Sequence, residues 1–255
     1  MTDQAQPAED WASYPCKVDD APAAMFVDLG LIHAAPIAGE DHAYWVSFQI
    51  QEPGKYGLGE PEEAEQMYDM EDHVCATLDG TPLRYVGRLR NHGQWQMFFY
   101  GPAGHEAAVD ASAAAAVQQL GMRTYEFGSK ADATWDVYRQ FIFPDPERHQ
   151  WVLDHRVVSN LQQHGDNNTA PREVDHYIYF QDQAPAQACA DAASAHGFTC
   201  KLTHDPSQGD LPHGLHLVRS DPVELGHIHN VVMQLIQLAS QHGGEYDGWG
   251  CPIAK

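Results

Sequence analysis

The chain is short of positive charge. Its 255 residues carry 14 Lys and Arg against 36 Asp and Glu, a formal net charge of -22. Nucleic acids are gripped chiefly through Lys and Arg on phosphates, so direct nucleic-acid binding over a broad surface is not expected. Cysteine is also sparse. Cys16, Cys75, Cys189, Cys200 and Cys251 are odd in number, scattered and without a C-x-x-C pair, which argues against a disulfide framework or a cysteine zinc site. No run of about 18 apolar residues is present to span a bilayer, and the first residues lack the basic and apolar regions of a secretory signal. A reducing, cytoplasmic setting without membrane attachment is therefore expected.

Catalytic signatures are missing as well. There is no G-x-S-x-G elbow, Walker A loop or H-E-x-x-H helix, and Gly243-Gly244 precedes a strand rather than a phosphate-binding helix. Histidine is abundant, with 16 residues, and 11 of these lie from His149 onward. Their spacing does not build a metal site. His227 and His229 are two apart on an expected helix and point to opposite sides. A metal-dependent or other enzyme drawing on His176, His213 or His229 is one rival reading, and an interaction module with an unrelated partner is another. No catalytic residue, cofactor or metal ligand is assigned. The adjacent carboxylates Glu71 and Asp72 diverge by about 100° on a helix and are expected at the surface. Cys189, in an Ala-rich helix, reads as a small core residue.

What remains is an ordinary globular composition, 43% hydrophobic, with clear periodicities. Strands are expected near Met25 to His33 and Ala43 to Gln51, and a helix over Glu60 to Leu78. A hairpin of Leu83 to Leu89 and Trp95 to Tyr100 turns at Asn91-His92-Gly93. A helix over Glu106 to Leu120 stops at Gly121, followed by a strand at Met122 to Phe127. From Ala43 this order is βαββαβ, the ferredoxin-like pattern, with one extra N-terminal strand. A short helix over Asp132 to Phe141 closes the half.

Phe143-Pro144-Asp145-Pro146 disfavours helix and marks the expected domain boundary, giving residues 1–146 and 147–255. A helix over Glu147 to His164 opens the second half. A further βαββαβ series follows: Val174 to Phe180, Ala184 to His196, Phe198 to Thr203, Leu215 to Arg219, Val223 to Gln241 and Glu245 to Trp249. Asp221-Pro222-Val223-Glu224 reads as an N-cap with Pro at the first helical position. The expected fold is thus α+β, two tandem ferredoxin-like domains.

The charge is uneven, with 8 basic and 23 acidic residues in the first half against 6 and 13 in the second. The acids Glu60, Glu62, Glu63, Glu65, Asp69, Glu71 and Asp72 are expected on a solvated helix face. The most individual stretch is Gly243 to Pro252, which sets Glu245, Tyr246, Asp247 and Trp249 among four glycines. Close backbone packing in a final strand is one reading. A presented Tyr and Trp flanked by acids, a protein-binding surface, is the other.

The segment Pro171-Arg172-Glu173-Val174-Asp175-His176-Tyr177-Ile178-Tyr179-Phe180, with Gly197-Phe198, Gly243 to Gly250, Gly165-Asp166 and Asp221 to His229, resembles the regulator of ribonuclease E activity B family. Glu71-Asp72, Val86-Gly87-Arg88 and Phe98-Phe99-Tyr100 resemble the uncharacterised DUF695 domain, which carries no assigned activity. The first resemblance implies a ferredoxin-like fold and a non-enzymatic regulator of RNA turnover that binds a protein partner, ribonuclease E, rather than its RNA.

Overall fold

The computed structural model describes residues 7–121 and 124–254, and divides into two compact units after Arg148. Both are α+β. The expected start of one strand at Met122 lies outside the described residues.

In the N-terminal unit, β3 (His42–Gln49), α1 (Pro61–Leu78), β4 (Arg84–Asn91), β5 (Gln94–Gly101), α2 (Glu106–Leu120) and β6 (Tyr125–Ala131) follow the βαββαβ order. Ahead of them stand two strands, β1 (Trp11–Val18) and β2 (Ala21–Asp28), rather than one. The six-stranded antiparallel sheet runs β1-β2-β4-β5-β3-β6. Its last four strands have the ferredoxin-like arrangement, and the hairpin of β1 and β2 extends the β4 edge. The expected strand ending at His33 stops at Asp28. There the Asp28 carboxylate takes the Gly30 N–H and opens a 3-10 turn over Leu29–His33. The β4–β5 loop is His92-Gly93, both at positive φ, as a two-residue hairpin turn requires.

One face of this sheet packs Tyr44, Val46, Phe48, Met97 and Phe99 under α1 and α2. The other face is also covered. Trp135 stacks on Tyr100 with centroids 4.1 Å apart, and the Tyr14 hydroxyl donates to Ile142 O at 2.6 Å. The helix expected over Asp132 to Phe141 is confined to a wide π turn, Val137–Ile142. Asp132 instead binds the Tyr100 hydroxyl and the N–H groups of Asp136 and Val137.

In the C-terminal unit, α3 (Pro146–Gln163) leads into β7 (Arg172–Phe180), α4 (Gln183–Ala195), β8 (Thr199–His204), β9 (His213–Asp221), α5 (Leu225–Gln241) and β10 (Gly244–Gly250). The antiparallel sheet runs β10-β7-β9-β8, the second ferredoxin-like arrangement. Val174, Ile178 and Phe180 of β7 and Leu215 and Leu217 of β9 form the core with α4, α5 and the inner side of α3. Cys189 is fully buried there. The α5 helix begins at Leu225, two residues later than expected, because Asp221 closes β9 instead of capping the helix. Its carboxylate is taken by Arg219 and by His227.

Candidate functional site

The stretch singled out in the sequence is β10, which among the described residues is an edge strand paired with β7. Cross-strand partners share a face of a sheet. Tyr246 is opposite Ile178 and Trp249 is opposite His176, so both rings lie on the helix-covered face and pack against the core. Their polar tips are also engaged. The Tyr246 hydroxyl shares a 2.9 Å hydrogen bond with Nδ1 of the buried His176, and Trp249 Nε1 donates to Asp154 of α3 at 2.9 Å. The expectation of outward-presented Tyr246 and Trp249 is therefore corrected: what β10 exposes is Glu245 and Asp247. A register shift between Tyr246 and Gly248 leaves Asp247 bulged out of the ladder.

Asp154 and His176 are the polar centres beneath the strand. The fully buried Asp154 side chain also pairs with His229 Nδ1 at 2.8 Å and accepts from Gln150 Nε2 at 2.9 Å. Burial pushes the Tyr246 hydroxyl up, with the charges of Asp154 and Asp247 adding to the effect. Burial pushes His176 down to about 4, so its ring is neutral at pH 7. A third anchor is Asp166, which pairs with Arg172 and accepts the N–H groups of Asn168 and Ala254. The Arg172 hydrogen bond holds its carboxyl at about 2. These contacts fasten α3, the start of β7 and the chain after β10 to one another.

Among the described residues, the helices of the unit all pack on the face of Val174, Ile178, Leu215 and Leu217, opposite the second face of this sheet. Its rows are Glu245, Tyr179, Gly214 and Thr203; then Gly248, Tyr177, His216 and Lys201; then Gly250, Asp175, Val218 and Thr199; with Glu173 and Ser220 at the end. Tyr177 is 39% exposed, and its ring stacks on His216 with centroids 5.0 Å apart. Asp175 and His216 are bonded at 2.6 Å. Sequence reasoning does not single out Tyr177, Asp175 and His216 as candidates. The alternation Val174, His176, Ile178, Phe180 against Asp175, Tyr177, Tyr179 already put the two tyrosines on one face.

The histidines do not converge. His176 is buried beside Tyr246, His213 lies 4.6 Å from His204 at the opposite sheet edge, and His229 is held by Asp154. Among the described residues no group of three His, Cys, Asp or Glu side chains could hold a metal ion. A shallow depression floored by Phe198, Leu235 and Leu238 is rimmed by His196, Gln234, Gln237 and Gln241, with no carboxylate to pair with the histidine.

In the N-terminal unit, Glu71 is buried rather than at the surface, which corrects its expected place. Its carboxylate takes both Arg88 Nη1 bonds, at 2.7 and 2.8 Å, and accepts from Tyr85 and Trp95. The Arg88 guanidinium in turn lies against the rings of Phe26, Tyr68 and Trp95. Both oxygens of the Glu71 carboxylate are thus occupied within the cluster. The solvated helix face expected for α1 is likewise interrupted at Glu63, whose carboxylate caps the N–H groups of Gln51 and Glu52.

Two ferredoxin-like units in tandem, the first enlarged by a hairpin, define an α+β protein. Residues 9–143 match the family of unknown function DUF695, and residues 151–251 match the family described as Regulator of ribonuclease activity B. The chain belongs to the DUF695 family over more than half its length and carries a regulator of ribonuclease activity B domain after it. Comparison with curated proteins gives no match. Among solved structures, one assigned as a glycine cleavage system transcriptional repressor aligns at 8% identity, covering 83% of this chain and 98% of its own, with a TM-score of 0.26. An unknown protein from Galdieria sulphuraria aligns at 10% identity, with the same coverage and a TM-score of 0.24. Likeness at this level bears on neither function nor partner.

Proposed function

We propose that the chain is a non-enzymatic, protein-binding regulator of a ribonuclease, with ribonuclease E as the first target, acting in the cytoplasm through its C-terminal domain. The match of residues 151–251 to the regulator of ribonuclease activity B family carries this reading. The net charge of -22 supports it, since a surface so poor in cations engages a protein more readily than RNA. The division of the chain into residues 1–146 and 147–255 gives the regulator a separate N-terminal domain, which adds acidic surface or a second contact. On β10, the exposed Glu245 and Asp247 are the groups offered to the partner, while Tyr246 and Trp249 hold the strand in place beneath them. No helix among the described residues is long and apolar enough to cross a membrane.

The test is ribonuclease E cleavage of a short single-stranded RNA with increasing full-length protein, together with co-purification of the two proteins. Inhibition near equimolar protein, with the RNA itself unbound, is expected. Unchanged cleavage at large excess with no co-purification would remove ribonuclease E as the target.

A further inference from the structure

On the face of the C-terminal sheet opposite its helices, open space lies over two glycines of β10. One face of the Tyr177 ring is used by His216, the two rings lying nearly parallel at 6°. On its other side Tyr177 is paired with Gly248 of β10, and the neighbouring Asp175 with Gly250. A Cβ built on either glycine would meet no atom within 4 Å. Gly214, on the other side of β7, is different: a Cβ there would lie 2.5 Å from Thr203 Oγ1 and 3.4 Å from the Tyr179 ring. Bare backbone beside an aromatic ring is thus confined to the β10 side. Around it stand carboxylates. Asp175 spends one oxygen on His216, and Glu173 and Glu245 are exposed on the same face.

Ring, bare floor and carboxylates together suit a planar cation. A guanidinium can stack on a tyrosine while its N–H fork engages a carboxylate, which the point charge of an ammonium cannot match. A nucleic-acid base could stack on the same ring. Its phosphates would then run beside Glu173, Asp175 and Glu245, with Lys201, across β9, the one Lys or Arg among the paired residues of this face. The sign of the charge decides between them. We infer that the slot over Gly248 and Gly250 takes the guanidinium of an arginine carried on an extended segment of a partner protein. The inference rests on the protein-binding reading above and gives it a surface and a partner chemistry.

The experiment titrates the isotope-labelled full-length protein with three probes: a short Gly-Ser peptide containing one arginine, its lysine counterpart, and a single-stranded oligoribonucleotide. The arginine peptide is expected to move the amide signals of Gly248 and Gly250, to bind about tenfold more tightly than the lysine peptide, and to weaken with salt. Tyr177→Ala should lower its affinity about tenfold. Gly250→Leu should do the same by filling the slot with the ring left intact, since the residue does not need a positive φ. Equal binding of the two peptides, unchanged affinity in both variants, or the same signals moved by the oligoribonucleotide would each overturn the inference. Ribonuclease inhibition separates it from the broader reading. Inhibition equal in wild type and Tyr177→Ala would sink the slot and leave the regulator. Arginine peptide bound through Tyr177 with no ribonuclease inhibited would leave the slot and sink the regulator.

Discussion

Trp249 donates its indole N–H to Asp154 at 2.9 Å, tying the last strand to the helix that opens the C-terminal unit, 95 positions earlier. Removing the buried acceptor strands three donors at once, those of Trp249, His229 and Gln150. Asp154→Ala is expected to cost on the order of 2–4 kcal/mol. Trp249→Phe, which deletes one hydrogen bond and keeps most of the ring, should cost about 1 kcal/mol. Urea denaturation of the full-length variants measures both, and equal losses would contradict the central role of Asp154.

Arg88 and Glu71 are the corresponding pair in the N-terminal unit, with side chains only 9% and 8% exposed. Arg88→Met leaves a buried carboxylate without its cation and is expected to destabilise by on the order of 3–5 kcal/mol. The double variant Glu71→Leu with Arg88→Met should lose less than the two single changes together, because no uncompensated charge remains. Urea denaturation of the full-length variants measures these losses, and a double variant that loses as much as the sum of the two single changes would contradict the pairing.

His176 makes the C-terminal unit sensitive to acid. Its folded-state value of about 4 lies below the ordinary value of 6.5, because burial opposes the charged ring. The Tyr246 hydroxyl bonds to it, Asp221 and Asp175 draw its value upward, and Arg219 and His216 oppose them. Between these values the unfolded chain binds the proton that the folded one refuses. Stability from this group is therefore complete above about pH 6.5 and falls as the pH drops towards 4, by about 3 kcal/mol in all. Thermal unfolding between pH 8 and pH 4 should show this loss, and His176→Phe should flatten that part of the profile.

Thiol reactivity follows burial. Cys189 is pushed up to about 11 and Cys75 to about 12, in both cases chiefly by burial. Both should resist a thiol-specific reagent at pH 8 in the folded protein and react when it is unfolded. Rapid labelling of Cys189 in the native state would contradict its place in the core.

Much of the fold was legible along the chain. Alternating apolar residues mark β3, β5 and β7, His92-Gly93 marks a hairpin, and Pro61 and Gly121 bracket helices. The segment that became β1 gave no such signal. Its pairing with β2, Trp11 opposite Asp28 through Val18 opposite Ala21, includes Pro15, Ala23 and Ala24, residues of low strand preference. The hairpin holds because Tyr14, Met25 and Val27 are buried on the sheet face that Trp135, Tyr138 and Ile142 cover, which are more than a hundred residues away. The local pattern around Asp221 fits a helix cap. Arg219 and His227 compete for the same carboxylate, and the cap position passes to Glu224.

The sequence by itself determined the two βαββαβ series, the acidity that disfavours nucleic acid, and the family resemblances of both halves, since periodicity, charge and motif are properties of neighbouring residues. Only the tertiary structure decided which side of each strand is covered. Alternation says that Tyr246 differs in face from Glu245, and that Tyr177 differs from His176, but it would set Trp249 with Glu245 and does not say which face a helix will occupy; the bulge at Asp247 brings Trp249 to the side of Tyr246. The pairing of β10 with β7 and the packing of α3 and α5 settled that, turning Tyr246 and Trp249 inward onto His176 and Asp154 and leaving Tyr177 beside two bare glycines.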